Sequence, residues 1–133
     1  LMVRILQTSY AVWQSLKFVV LQPQSDAGAL RRYLYEHGWH IEDERLVIDD
    51  GRLYELMRAV PGQAGALPDW IYDIGPVNWQ RRDPLLSRKI DILMETKGHI
   101  LEGLKKSRKD VHERMEKIES ELRFWRELKW QLQ

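Results

Sequence analysis

Between Lys17 and Gly38 the chain sets out a strand, a break, a helix and a stop in the order of half a βαβ unit, and this ordering limits its folds more than any other feature. Lys17-Phe18-Val19-Val20-Leu21-Gln22 is a continuous β-branched and aromatic run, the pattern of a strand buried on both faces of a parallel sheet. Pro23 ends it, since proline cannot donate to a ladder. Ser25 or Asp26 can cap a helix over Ala27 to His37, on which Leu30, Tyr33 and Leu34 share a face. Gly38 supplies the left-handed terminator.

The next segment changes period. Ile41, Leu46 and Ile48 stand among acids, Asp49-Asp50-Gly51 offers a turn of the kind that joins antiparallel strands, and Arg52 to Val60 returns as the partner strand. Such a hairpin fits the antiparallel edge of a doubly wound sheet. From Gly62 to Pro76 the chain is rich in Gly, Ala, Pro and Asp without a sustained period, which predicts a loop and a domain boundary.

From about Asp83 the spacing becomes heptad-like: Leu86, Ile90, Leu93, Lys97, Ile100 and Leu104, then Val111, Met115, Ile118, Leu122 and Trp125. Ser107 precedes Asp110 by three residues in a capping-box arrangement, and Gly103 weakens the helix upstream. Two antiparallel helices joined near residues 104 to 108 are therefore expected in preference to one rod. The expected organisation is an α/β domain over 1–62, a linker or loop over 63–82 and a helical coiled-coil domain over 83–133, whose seam can also pair two chains. At the other end, Leu1 to Leu6 is apolar nearly throughout, is read as a helix remnant, and opens the chain as if cut from something longer.

With no cysteine, neither a disulfide framework nor a thiolate metal site is available, and a cytoplasmic setting is expected. The longest apolar run is too short to span a bilayer, so no membrane partner is expected. Net charge is only +1, but the field that steers a ligand is set by local patches. From Gln80 to Gln133 there are 14 Lys and Arg against 10 Asp and Glu, with four cations in Lys105-Lys106-Ser107-Arg108-Lys109. Arg31 with Arg32, and Arg81 with Arg82, form two further basic pairs.

Side chains for chemistry are few. His37 and His40 flank a helix end without a spacing that aims both at one ion, so no metal site is expected. Glu42, Asp43 and Glu44 are consecutive strand residues that point to opposite faces, and are read as a solvated strand face. Nucleophile motifs, phosphate loops and glycine-rich dinucleotide fingerprints are missing. Leu21-Gln22-Pro23-Gln24 lies at the carboxyl end of the expected buried strand, where open α/β sheets collect ligands, and it can equally be a plain connection.

Phe18 to Gln24, then Leu30-Arg31-Arg32-Tyr33-Leu34-Tyr35-Glu36-His37-Gly38-Trp39, then Ile41 through Asp50-Gly51 to Tyr54-Glu55, resemble in letters and order the bacterial tRNA (adenine(22)-N1)-methyltransferase family. Gly75-Pro76, Asp83-Pro84-Leu85 and the helical tail resemble that family's C-terminal coiled-coil domain. The resemblance covers only the later part of the family. It implies an α/β fold, the C-terminal half of a Rossmann-like class I methyltransferase sheet followed by an antiparallel helical coiled-coil hairpin. It implies S-adenosylmethionine-dependent methylation of adenine N1 in tRNA, with the cofactor bound mainly by the absent N-terminal half and this fragment inactive alone. Gln22, Pro23 and Gln24 would line the acceptor side, and Lys105, Lys106, Arg108, Lys109, Arg31 and Arg32 would contact tRNA. Where the family has Asn after Gln-Pro, this chain has Gln24. The rival readings are a non-catalytic RNA-binding or coiled-coil interaction module and a nonspecific DNA binder.

Overall fold

The computed structural model describes residues 2–8 and 15–133; Leu1, the first residue of the expected N-terminal helix, and residues 9–14 lie outside that description. The chain divides into two compact units, Leu1–Leu86 and Ser87–Gln133. Among the described residues no helix is long and apolar enough to cross a membrane.

In the first unit helix α1 (Met2–Thr8) is followed by strand β1 (Val19–Leu21), helix α2 (Ala27–Glu36), strands β2 (Trp39–Asp49) and β3 (Arg52–Pro61), and two short helices, α3 (Asp69–Ile74) and α4 (Pro76–Arg81). The sheet order is β1-β3-β2 and both pairings are antiparallel. β1 and β2 therefore run parallel to each other, linked through α2, while β3 returns between them. This corrects the expectation of a doubly buried strand in a parallel sheet. β1 pairs antiparallel with β3, Val19 opposite Ala59 and Leu21 opposite Met57, and Phe18 and Val20 are 49% and 65% exposed. A continuous apolar run carries no information about the direction of its neighbour.

α2 forms where the cap and stop signals place it. The Asp26 side chain accepts from the Ala29 N–H at 3.1 Å, and Gly38 has φ +79° just beyond the helix. Ala27, Leu30 and Leu34 pack with Trp39 and Ile41 of β2, Met57 and Ala59 of β3, and Tyr72 of α3. Each such large apolar side chain contributes roughly 1.5–3 kcal/mol by leaving water. The hairpin turns at Asp50 and Gly51, both at positive φ (50° and 75°), the type I′ geometry whose twist matches the strands. A bulge between Ile41 and Asp43 inserts one residue into β2, so that Ile41, Glu44 and Leu46 all face inward.

The segment expected to be a linker over 63–82 is instead largely helical. Ile71, Tyr72 and Ile74 of α3 and Asn78 of α4 are buried in the first unit. Helices of six residues make under two turns, too few to display a period. Asp83 fixes the end of the segment: its carboxylate accepts from the Leu46 N–H of β2 at 3.4 Å, the Leu85 N–H at 2.9 Å and Arg81 Nη2 at 2.7 Å.

Beyond it lie helices α5 (Leu86–Lys105) and α6 (His112–Gln131). Lys97 of α5 pairs with Glu121 of α6 at 2.7 Å, and Asp91 with Lys129 at 2.5 Å, so earlier residues of one helix meet later residues of the other. Ile90, Leu101, Ile118, Trp125 and Leu128 are buried, and Leu93 is half-buried. The expected seam slips at one point: Ile100 is 39% exposed and Leu101 8%, because a straight helix of 3.6 residues per turn drifts away from a strict seven-residue repeat. The capping box is also displaced. Ser107 Oγ accepts from the Lys109 N–H and Asp110 from the His112 N–H, so α6 starts after Val111.

Candidate functional site

Arg31 sits one residue from Leu30 and four from Ala27, on the buried face of α2, and the packing carries its guanidinium inward. Nη1 donates to the Tyr72 carbonyl at 2.8 Å, Nη2 donates to Glu55 at 2.7 Å, and Nε lies 3.4 Å from Glu44. With the side chain wholly enclosed, Arg31 is not available to RNA, contrary to the expectation from sequence. Glu44 likewise departs from its expected solvated face: it is 2% exposed, turned inward by the bulge. Neither carboxylate oxygen has a well-aligned hydrogen-bond partner. Burial pushes this carboxyl up to about 7, Arg31 holds it back, and Glu55 raises it further. Gly75, at φ +98°, lies directly against Glu44 and Asn78, leaving no room for a Cβ.

Gln22, Pro23 and Gln24 follow β1, with Pro23 buried and both glutamines exposed. Ser25 separates them from Asp26, whose left-handed backbone (φ 49°, ψ 56°) turns the chain into α2. Arg32, the next residue, is exposed. It binds Asp69 at 3.0 Å and lies 4.6 Å from the centre of the Tyr72 ring, and Asp69 raises its pKa. Lys105, Lys106, Arg108 and Lys109 are all exposed around the turn between α5 and α6; Lys105 pairs with Glu102 at 3.4 Å. The structure thus separates Arg31 from the other expected contact residues.

Two aromatic residues not singled out from sequence complete the surface of α3 and α4. Trp70 and Trp79 meet edge to face with ring centres 5.2 Å apart, and Arg82 lies over Trp79 at 3.7 Å. Their sequence signal was only tryptophan close to arginine in a stretch without a period. Among the described residues no cluster of His, Cys, Asp and Glu is arranged to hold a metal ion. Three glycines, Gly28, Gly62 and Gly75, pack closely against Asp73, His40 and Glu44 respectively.

Among curated proteins no match is found. Solved structures share the fold. A Streptococcus agalactiae protein of the NADB-Rossmann superfamily superposes with TM-score 0.78 at 19% identity, over 95% of this chain and 53% of its own. A Streptococcus pneumoniae protein assigned as a tRNA (m1A22) methyltransferase gives TM-score 0.78 at 21% identity, over 95% and 55%. M. capricolum TrmK, in complex with S-adenosyl-homocysteine, gives 0.69 at 13%, over 97% and 56%. The chain spans about half the length of these relatives.

By its β1–α2–β2 connection with β3 returning between the strands, and by these superpositions, the molecule is an α/β protein with the fold of Rossmann-like neighbours. Its family follows from residues 1–127, which match TrmK, tRNA (adenine(22)-N(1))-methyltransferase, along nearly the whole chain: the protein belongs to that family.

Proposed function

We propose that this chain is the C-terminal part of an enzyme that transfers a methyl group from S-adenosylmethionine to N1 of adenine 22 in tRNA. The observation that carries this reading is the family match over residues 1–127, and the superposed solved structures support it. Residues 1–62 serve as the later half of a Rossmann-like sheet. Phe18, Val20 and Leu56 are exposed on one side of the three strands, an apolar surface suited to the cover a doubly wound sheet receives on both faces. Residues 83–133 serve as an antiparallel coiled-coil hairpin, supported by the Lys97–Glu121 and Asp91–Lys129 ion pairs, with a seam that can also join two copies.

In this assignment the cofactor is held mainly by the half of the enzyme that this chain lacks, and when bound it supplies the electrophilic methyl. Gln22, Pro23 and Gln24 line the acceptor side, positioning a base turned out of its stack. Lys105, Lys106, Arg108, Lys109 and Arg32 contact tRNA phosphates, and the enzyme works in the cytoplasm. The test is methyl incorporation into a tRNA transcript by the full-length protein. Transfer to adenine 22 that disappears when that base is guanine is expected; transfer independent of the base, or none, would overturn the assignment. Calorimetry on the 133-residue chain should show no tight S-adenosylmethionine binding, and low-micromolar affinity would show the cofactor site to be misplaced.

A further inference from the structure

The half-buried Trp70 and Trp79 and the exposed Arg82 form an aromatic and cationic cluster on α3, α4 and the residue that follows. Trp70 presents its edge to Trp79 at an interplanar angle of 89°, and the exposed Arg82 lies 3.7 Å from the centre of the Trp79 ring. Arg82 is held there twice over. Its Nη1 donates to the Trp79 carbonyl at 2.6 Å, and its backbone is left-handed (φ 52°, ψ 54°), a conformation disfavoured for any residue with a Cβ. Neighbouring Arg81 is neutralised by Asp83 at 2.7 Å, with Asp43 at 3.9 Å, whereas no carboxylate pairs with Arg82 among the described residues. The result is a preformed aromatic and guanidinium surface bearing one uncompensated positive charge.

We propose that the Trp70–Trp79–Arg82 stack seats one unstacked nucleobase of RNA, the base lying against the guanidinium and indole surface while the remaining Arg82 N–H groups take its phosphate. A nucleotide joins the two features the surface asks for, a flat π face and an anion within one residue's reach. An apolar protein partner would have to bury a guanidinium that no carboxylate pairs among the described residues, and an acidic peptide would leave the flat guanidinium–indole surface unused. Stacking accepts any base, so the seat orients the RNA without selecting adenine. This rests on the reading of the substrate as RNA.

The test is equilibrium binding of a single-stranded RNA decamer containing 2-aminopurine to the full-length protein, read by anisotropy and by quenching of the reporter base. Trp79→Leu should weaken binding on the order of tenfold, abolish the quenching and leave the salt slope unchanged. Arg82→Gln should weaken binding and flatten the slope by about one contact. Trp79→Phe should restore most of the affinity. Circular dichroism of each variant checks the fold, and Arg82→Gln, an exposed change, decides the outcome if Trp79→Leu unfolds. Wild-type RNA binding that all three variants leave intact would overturn the seat while leaving the RNA substrate standing. Absence of RNA binding by the wild type would overturn both. Displacement of the decamer by polyglutamate as efficiently as by unlabelled RNA would make the face a general anion site and also end the proposal.

Discussion

Nη2 of Arg31 donates to Oε1 of Glu55 at 2.7 Å, joining α2 to β3 where the arginine side chain is fully enclosed. The same guanidinium reaches the Tyr72 carbonyl, so one side chain ties helix, sheet and α3 together. Burying an ion pair gains little over apolar packing, but breaking one strands a charge.

Replacing Arg31 by Met should therefore cost about 3–5 kcal/mol of stability, since Glu55 and Glu44 lose their shared cation. Urea unfolding measures it. Arg32→Ala is the control: its partner Asp69 is 88% exposed, and the midpoint should hardly move. Equal losses in the two variants would refute the distinction between these adjacent arginines.

Glu44 makes stability depend on pH. Its carboxyl rises from 4.5 to about 7 on folding, with burial as the main cause. Between those values the folded protein binds more protons than the unfolded chain, so this contribution is present below pH 4.5, falls as pH rises, and is lost above about 7. The slope from this group is at most about 1.4 kcal/mol per pH unit. Unfolding at pH 5 and pH 8 should show Glu44→Gln with a flatter dependence than the wild type; an unchanged dependence would mean the carboxyl is solvated.

Gly75 separates α3 from α4 at φ +98°, and a methyl group there would collide with Glu44 and Asn78. Gly75→Ala should destabilise by about 1–3 kcal/mol through backbone strain and overpacking combined. In Glu44→Ala, where the obstructing carboxylate is gone, part of that penalty should disappear. Additive losses in the double variant would exclude the Glu44 contact as a cause and leave backbone strain and the Asn78 contact.

The hairpin was legible because a two-residue turn has a chemical signature: Asp50 and Gly51 supply the positive φ angles that a type I′ turn demands. α2 was legible from its cap and its glycine. Glu44 was not, because alternation counted from Ile41 sends it to the solvent face and a one-residue bulge reverses that parity, a change the sequence marks only by the odd spacing between Ile41 and Leu46. The inward turn of Arg31 did have a signal. It shares its helix face with Ala27, Leu30 and Leu34, and an arginine there is either a packing error or a buried partner for acids. Trp79 and Arg82 lie three residues apart in the chain, but their stacking depends on a left-handed residue that no residue type in the segment announces.

Ile118 and Ile100 were both expected on the helical seam, yet Ile118 is 6% exposed and Ile100 39%. Ile118→Ala should cost about 2–4 kcal/mol as a core truncation, and Ile100→Ala about 0.5 kcal/mol or less. Leu101→Ala should resemble the former. Thermal unfolding of the three variants checks the phase of α5, and a larger loss at Ile100 than at Leu101 would restore the strict heptad.

The proposed contact of the turn between α5 and α6 with tRNA makes a prediction in salt. Lys106, Arg108 and Lys109 are exposed, with no ion pair among the described residues, while Lys105 already has Glu102. A cation without an acidic partner releases the counterions of any phosphate it meets, and each such contact steepens the fall of log affinity with log salt by about 0.7–0.9. In the full-length enzyme, changing all three to Ala should weaken tRNA binding and make that slope shallower by about 2, with S-adenosylmethionine affinity unchanged. Changing Lys105 alone should do less, because Glu102 already offsets part of the charge it can present to a phosphate. An unaltered slope together with unaltered tRNA affinity would assign these cations to solubility, and the RNA-facing surface would then be sought around Arg32 and Arg82.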